Sequence, residues 1–142
     1  MTCDFNVDKL VKSIDNPNNK AFMDLNSSKI KQTKNDMLQK LNLPRNELLL
    51  LHKKLKQYRY IDEINELNYG TYVRWIDLSK DELKLTNGGI VCEVKATDEG
   101  VFIVCKNNFN IFFQFHFGKC MVFQKLTDQE SILLSALDYL SK

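Results

Sequence analysis

At Gly70 the spacing of apolar residues changes period, and this change constrains the fold more than any other feature of the chain. Before it, apolar side chains recur three and four residues apart. Leu48, Leu51, Leu55 and Tyr58 form one such stripe, and Ile30, Met37, Leu38 and Leu41 form another. That is the spacing of one helical face. After it, Thr71, Val73 and Trp75 alternate with Tyr72, Arg74 and Ile76, and Ile90, Cys92 and Val94 alternate with Val91, Glu93 and Lys95. A period of two with β-branched and aromatic residues is the mark of strands. The chain therefore reads as α+β, with helices in front and a sheet behind.

Local signals place the elements. Phe5 as a staple, Asn6 as N-cap and Val7, Leu10, Val11 and Ile14 on one face predict a short helix at 7–14, stopped by the loop 15–19 around Pro17. Ser27 or Ser28 is expected to cap a second helix, and Leu43-Pro44 to end it. Pro44 suits the first turn of a third helix at about 45–59, where Leu49 and Leu50 widen the apolar face enough to require cover on more than one side. Ile61, Ile64 and Leu67 extend this into one more short turn.

Turn residues at Asn87-Gly88-Gly89, Asp98-Glu99-Gly100, Asn107-Asn108 and Gly118-Lys119 then separate short strands. Connections this brief predict antiparallel neighbours, hence a five-stranded meander, as a curled sheet or a small SH3-like barrel. Thr127 with Glu130 three residues on makes a capping box for a C-terminal helix. The expected organisation is one domain, 1–142, with an N-terminal arm at 1–26, a helical hairpin at 27–60, the sheet at 69–126 and the last helix at 127–142.

The totals agree with a single core: 142 residues, 44% hydrophobic and 27% charged, are ordinary globular material. Asp4 and Asp8 stand where a secretory signal would be basic, and clusters such as 48–51 and 109–117 fall far short of the about 18 residues that span a bilayer. Cys3, Cys92, Cys105 and Cys120 are separated by 89, 13 and 15 residues, with no C-x-x-C pair. They read as reduced thiols, which implies an intracellular, reducing compartment.

Four patterns in the chain could carry chemistry. Gly88-Gly89 precedes a strand rather than a helix, so it is not a phosphate-gripping loop. The cysteines and the two histidines supply no close pair for a tetrahedral metal site. His116 and Cys120 are four residues apart, but a two-residue turn at Gly118-Lys119 would pair Phe117 with Cys120 and leave thiol and imidazole on opposite faces. The doublets Asp62-Glu63, Asp81-Glu82 and Asp98-Glu99 sit in turns or helix starts, where solvation accounts for them. The expectation is a non-catalytic protein without cofactor or metal.

Two kinds of partner remain. Residues 1–60 carry 12 Lys+Arg against 6 Asp+Glu, and 61–142 carry 8 against 12. Lys29, Lys31, Lys34, Lys53, Lys54, Lys56 and Arg59 on the helices are thus candidates for sequence-indifferent binding of a polyanion such as nucleic acid. With 17 lysines to 3 arginines, reading of base edges is not expected. The other kind is protein. Phe112, Phe113 and Phe115, with Phe109 and Phe117, occupy both faces of one strand, so both faces want burial. Together with Tyr72 and Trp75 they are the candidate contacts for another chain, of its own kind or different, and this is the leading expectation.

The runs Leu67-Asn68-Tyr69-Gly70-Thr71-Tyr72-Val73-Arg74-Trp75-Ile76, Leu85-Thr86-Asn87-Gly88-Gly89, Cys105-Lys106-Asn107-Asn108 and Phe123-Gln124-Lys125-Leu126-Thr127-Asp128-Gln129-Glu130 resemble a group of small proteins encoded by giant DNA viruses. The resemblance covers about residues 60–142. It implies a viral origin and a place in the virion or its assembly site, as a minor structural component. It implies no catalytic or binding residues.

Overall fold

The computed structural model describes residues 11–12 and 26–140. Of the expected first helix only Val11 and Lys12 fall among these, and both are helical; the rest of it, the loop at Pro17 and Cys3 lie outside the described residues.

The first full helix, α1 (Ser27–Gln39), is capped by Asn26 rather than by either serine: the Asn26 side chain accepts from the Lys29 amide at 2.8 Å. The Ser27 amide instead donates to the Asp138 carboxylate, tying the start of α1 to the last helix. Ile30, Lys34 and Leu38 form its buried stripe, four residues apart. Asn42, at φ 53°, turns the chain into Pro44, which stands as the N-cap of α2 (Arg45–Lys54). This helix is shorter than its apolar pattern suggests. Leu48 and Leu51 face the core, whereas Leu49 and Leu50 are exposed, so the broad face is covered on one side only.

Beyond α2 the expected continuation of helix is replaced by strand β1 (Tyr58–Ile61) and a 3-10 turn (Ile64–Glu66). Tyr58, Arg59, Tyr60 and Ile61 are β-branched or aromatic at every position but Arg59, and they alternate between half-buried and buried. A helical stripe ending in Tyr58 hides this switch. The remaining strands are β2 (Tyr72–Asp77), β3 (Gly89–Thr97), β4 (Gly100–Lys106), β5 (Phe112–His116) and β6 (Cys120–Lys125), followed by α3 (Asp128–Leu140).

Among the described residues the sheet has six strands in the order β1-β6-β2-β3-β4-β5, all neighbours antiparallel. The five-strand meander is therefore corrected at its last step. β6 does not pair with β5; it inserts between β1 and β2. Gly118-Lys119 is no hairpin turn but part of a 3-10 turn (Phe117–Lys119) that carries the chain from one edge of the sheet to its other half. The expected SH3-like barrel is not formed either: no ladder returns β5 to β1 or β6, and the sheet stays open.

Burial explains the order. Met121, Val122, Phe123 and Gln124 are all buried, so β6 needs cover on both faces and partners on both sides. β5 shows the reverse, with three of its five residues exposed. The strand with the most aromatics is thus an edge, and the strand with fewer lies inside the sheet.

β2 and β3 pair only at Tyr72↔Ile90 and Val73↔Gly89. The loop 78–88 occupies the space beyond, its returning limb held to β2 by the Thr86 amide on the Trp75 carbonyl at 2.9 Å. Gly88, at φ 83°, admits this close return, because a Cβ there would collide with the Val73 carbonyl oxygen. On one face Ile61, Val73, Trp75, Val91, Ile103, Cys105, Phe115 and Val122 form a core; on the other Ile76, Met121 and Phe123 meet Leu38 and Leu55 of the helical layer. Ile30 packs on Leu133 and Leu134, seating α1 on α3. The capping box forms as expected: the Glu130 amide donates to Thr127 Oγ1 and the Thr127 amide to Glu130 Oε1.

A candidate protein-contact site on the edge strand

The site begins in the turn before β5. Asn107 Oδ1 accepts from the amides of Phe109 and Ile111 at 2.9 and 3.0 Å, and Asn110 sits at φ 60°. Side-chain capture of this kind frees a short loop from needing buried neighbours. It leaves Phe109 82% exposed and Ile111 exposed beside it. Phe112 and Phe113 follow at 63% and 46% exposed, on opposite faces of β5. Residues 107–118 contain no Asp, Glu, Lys or Arg.

The inner face of this edge is concave. Trp75 and Phe115 stack with ring centroids 4.2 Å apart, although their strands lie three places apart in the sheet. Beside them opens a cavity of about 390 Å³ lined by Tyr72, Trp75, Asn87, Phe109 and Phe113 among others. A cleft of about 740 Å³ adjoins it along Trp75, Thr86 and Phe113, rimmed by Asp77, Lys80, Glu82, Lys84 and His116. Its charges balance, with Lys84 paired to Glu82 at 3.3 Å. Asp77 is held below the usual carboxylate range by the Ser79 hydroxyl, then by the Ser79 amide.

The two edges of the sheet are treated differently. At β1 the helix α1 lies close, and the buried Lys34 donates to the carbonyls of Leu55 at 2.8 Å and Tyr58 at 3.0 Å. Arg59 adds an inward charge on the same strand. These are the ordinary devices for blunting a sheet edge. At β5 none of them is found among the described residues: the strand has no charge and no proline, and no described strand or helix pairs with its outer side.

The candidate residues divide accordingly. Phe112 and Phe113 are on the surface, as a contact requires. Trp75 and Phe115 are not; they are core, and Tyr72 is half-buried with its hydroxyl donating to the Asn87 carbonyl. Among the basic candidates Lys29, Lys31, Lys53, Lys54 and Lys56 are exposed. Lys34 and Arg59 leave the polyanion set. Burial, then the nearby Lys31 charge, lowers the Lys34 pKa, and its ammonium caps backbone carbonyls; Arg59 is buried between Glu66 and Glu130. Neither is visible from spacing, since a buried lysine on a helix reads like an exposed one.

His116 and Cys120 form no dyad. The His116 Nδ1 accepts from the Gly118 amide at 3.1 Å, which assigns the proton to Nε2, 2.9 Å from the Glu99 carbonyl oxygen. Burial pushes the Cys105 and Cys120 thiols up to about 12, and nearby Cys92 and Asp77, respectively, add to it. Cys92, exposed at the β-bulge between Val91 and Glu93, should be alkylated well ahead of both in the folded protein near neutral pH. Peptide mass mapping gives the order, and prior labelling of Cys120 would contradict the burial described.

Among the described residues, no three His, Cys, Asp or Glu come together as a metal site, and no helix is long and apolar enough to cross a membrane. Fold and site together define an α+β protein with an open antiparallel sheet and an aromatic edge strand that no other described residues pair with. Compared with protein-family models, curated proteins and solved structures, the chain matches none.

Proposed function

We propose that the chain is a non-catalytic interaction component whose contact surface is the β5 edge with Phe109, Ile111, Phe112 and Phe113. The observation that carries this reading is the asymmetry of the two edges. An open edge offers unpaired backbone donors and acceptors that template a further strand. Here it is joined to a contiguous apolar surface of a kind that marks contact sites. The resemblance to giant-virus proteins fits a component of a virion or of its assembly site. Binding of nucleic acid through the exposed helix lysines is the weaker reading, because two of its seven residues are buried and the groove beside β5 is balanced in charge.

A photoreactive benzophenone side chain at position 112 should give a cross-linked product in cells that normally contain the chain. The same group at exposed position 95, on β3, serves as control. A product at 95 but none at 112 would sink the reading.

A further inference from the structure

We infer that the strand received by the β5 edge is β5 of a second copy of this chain, antiparallel and centred on Gln114. This rests on the proposed contact surface and names its occupant. The backbone phase comes first. The Asn107 amide donates to the Ile111 carbonyl at 3.0 Å, so Ile111 turns its groups toward β4. In an antiparallel ladder that orientation alternates. Phe113 and Phe115, opposite Cys105 and Ile103, therefore also face β4, and Phe112, Gln114 and His116 present their N–H and C=O groups outward.

A two-fold axis through any residue of β5 matches outward groups to outward groups. Only Gln114 lets all five residues of β5 overlap. Phe112 then meets His116 of the other copy, Gln114 meets its own counterpart, and about six N–H···O bonds form.

The side chains agree with this register. On the inner face, Phe113 comes opposite the other copy's Phe115, extending the Phe115–Trp75 stack across the junction. On the outer face, Phe112 joins the edge-to-face pair of His116 and Phe102. The two phenylalanines left in water by one chain are covered by aromatic groups of the next. No like charges meet, because residues 107–118 have none. Taking about 150–250 Å² per phenylalanine, exposures of 63% and 46% at Phe112 and Phe113 leave on the order of 200 Å² per chain. The resulting roughly 400 Å² of phenylalanine surface across both copies, added to the paired backbone, suits only a weak, reversible contact.

The test is sedimentation equilibrium of the full chain with Gln114→Lys and Gln114→Glu. Gln114 is exposed, so both variants should melt as the unaltered chain does. The unaltered chain should dimerise with Kd in the micromolar range or above, each variant alone should weaken this by about tenfold or more, and a one-to-one mixture should restore it through the new opposite charges. A chain that stays monomeric throughout, a variant that associates as the unaltered chain does, or a mixture that fails to recover would each overturn the inference. Mass separates its failure from that of the broader reading: a product at position 112 with a different protein removes the second copy but keeps the contact surface, and no product removes both.

Discussion

Replacing Arg59 by leucine should lower the free energy of unfolding by about 3–5 kcal/mol, measured by urea denaturation with an unchanged slope. Arg59 lies on β1 with its guanidinium out of water, Nη1 2.9 Å from Glu66 Oε2 and Nε 3.5 Å from Glu130 Oε2. Nη2 also donates to the Glu66 carbonyl at 3.4 Å. The arginine thus ties β1 to the following 3-10 turn and to the first turn of α3. Its removal leaves the Glu130 carboxylate, 2% exposed, without its opposite charge, and an uncompensated buried charge is what makes broken buried pairs costly. Adding Glu130→Gln to Arg59→Leu should therefore cost less than the two single changes summed. Strict additivity would show that the two groups do not interact. Lys54→Leu, exposed at the end of α2, should change stability by no more than about 0.5 kcal/mol.

Two phenylalanines give the second large contrast. Phe123→Ala should cost about 3–5 kcal/mol, because Phe123 is fully buried between the sheet and the helical layer and meets Tyr60 edge to face at 5.9 Å. Phe112→Ala should cost about 0.5 kcal/mol or less in the monomer, since most of that side chain is already in water. Chemical denaturation of the two variants decides the matter. Equal losses would mean that β5 and β6 have been given each other's places in the sheet.

That exchange of places is where reading the sequence failed, and the reason is physical. Alternation reports which faces of a strand are apolar, but not whether the neighbour that covers them is this chain or another. Five phenylalanines around β5 read as a demand for burial on both faces. Gln124 made β6 look half-polar, yet its amide is fully buried, accepting from the Asn68 amide and the Thr71 hydroxyl at 2.8 Å and donating to the Glu66 carbonyl at 3.2 Å. A polar side chain satisfied by three loop groups cannot be told from a solvated one by spacing. Local signals did better: the strand positions from β2 to β6 and the capping box of α3 depend on near neighbours, whereas the change of period placed at Gly70 comes in fact at β1. The Arg59–Glu130 contact joins residues far apart in sequence and has no local signature. The candidate site was half legible, in Phe112 and Phe113 but not in the burial of Trp75 and Phe115.

The place of β6 also sets an order for folding during synthesis. Among the described residues β1 has β6 as its only ladder partner, and without β6 strand β2 keeps its two-residue contact with β3 and its bonds to the 78–88 loop. The N-terminal helices and β1 must therefore wait, unroofed, until residues 120–125 have left the ribosome. Meanwhile the β3–β4–β5 hairpins can close locally, each from a short turn, and present their uncharged aromatic edge before the rest of the sheet exists. The nascent chain is most open to unwanted strand pairing in that interval, so cotranslational shielding of residues 107–118 would matter more to its yield than the stability of the finished fold.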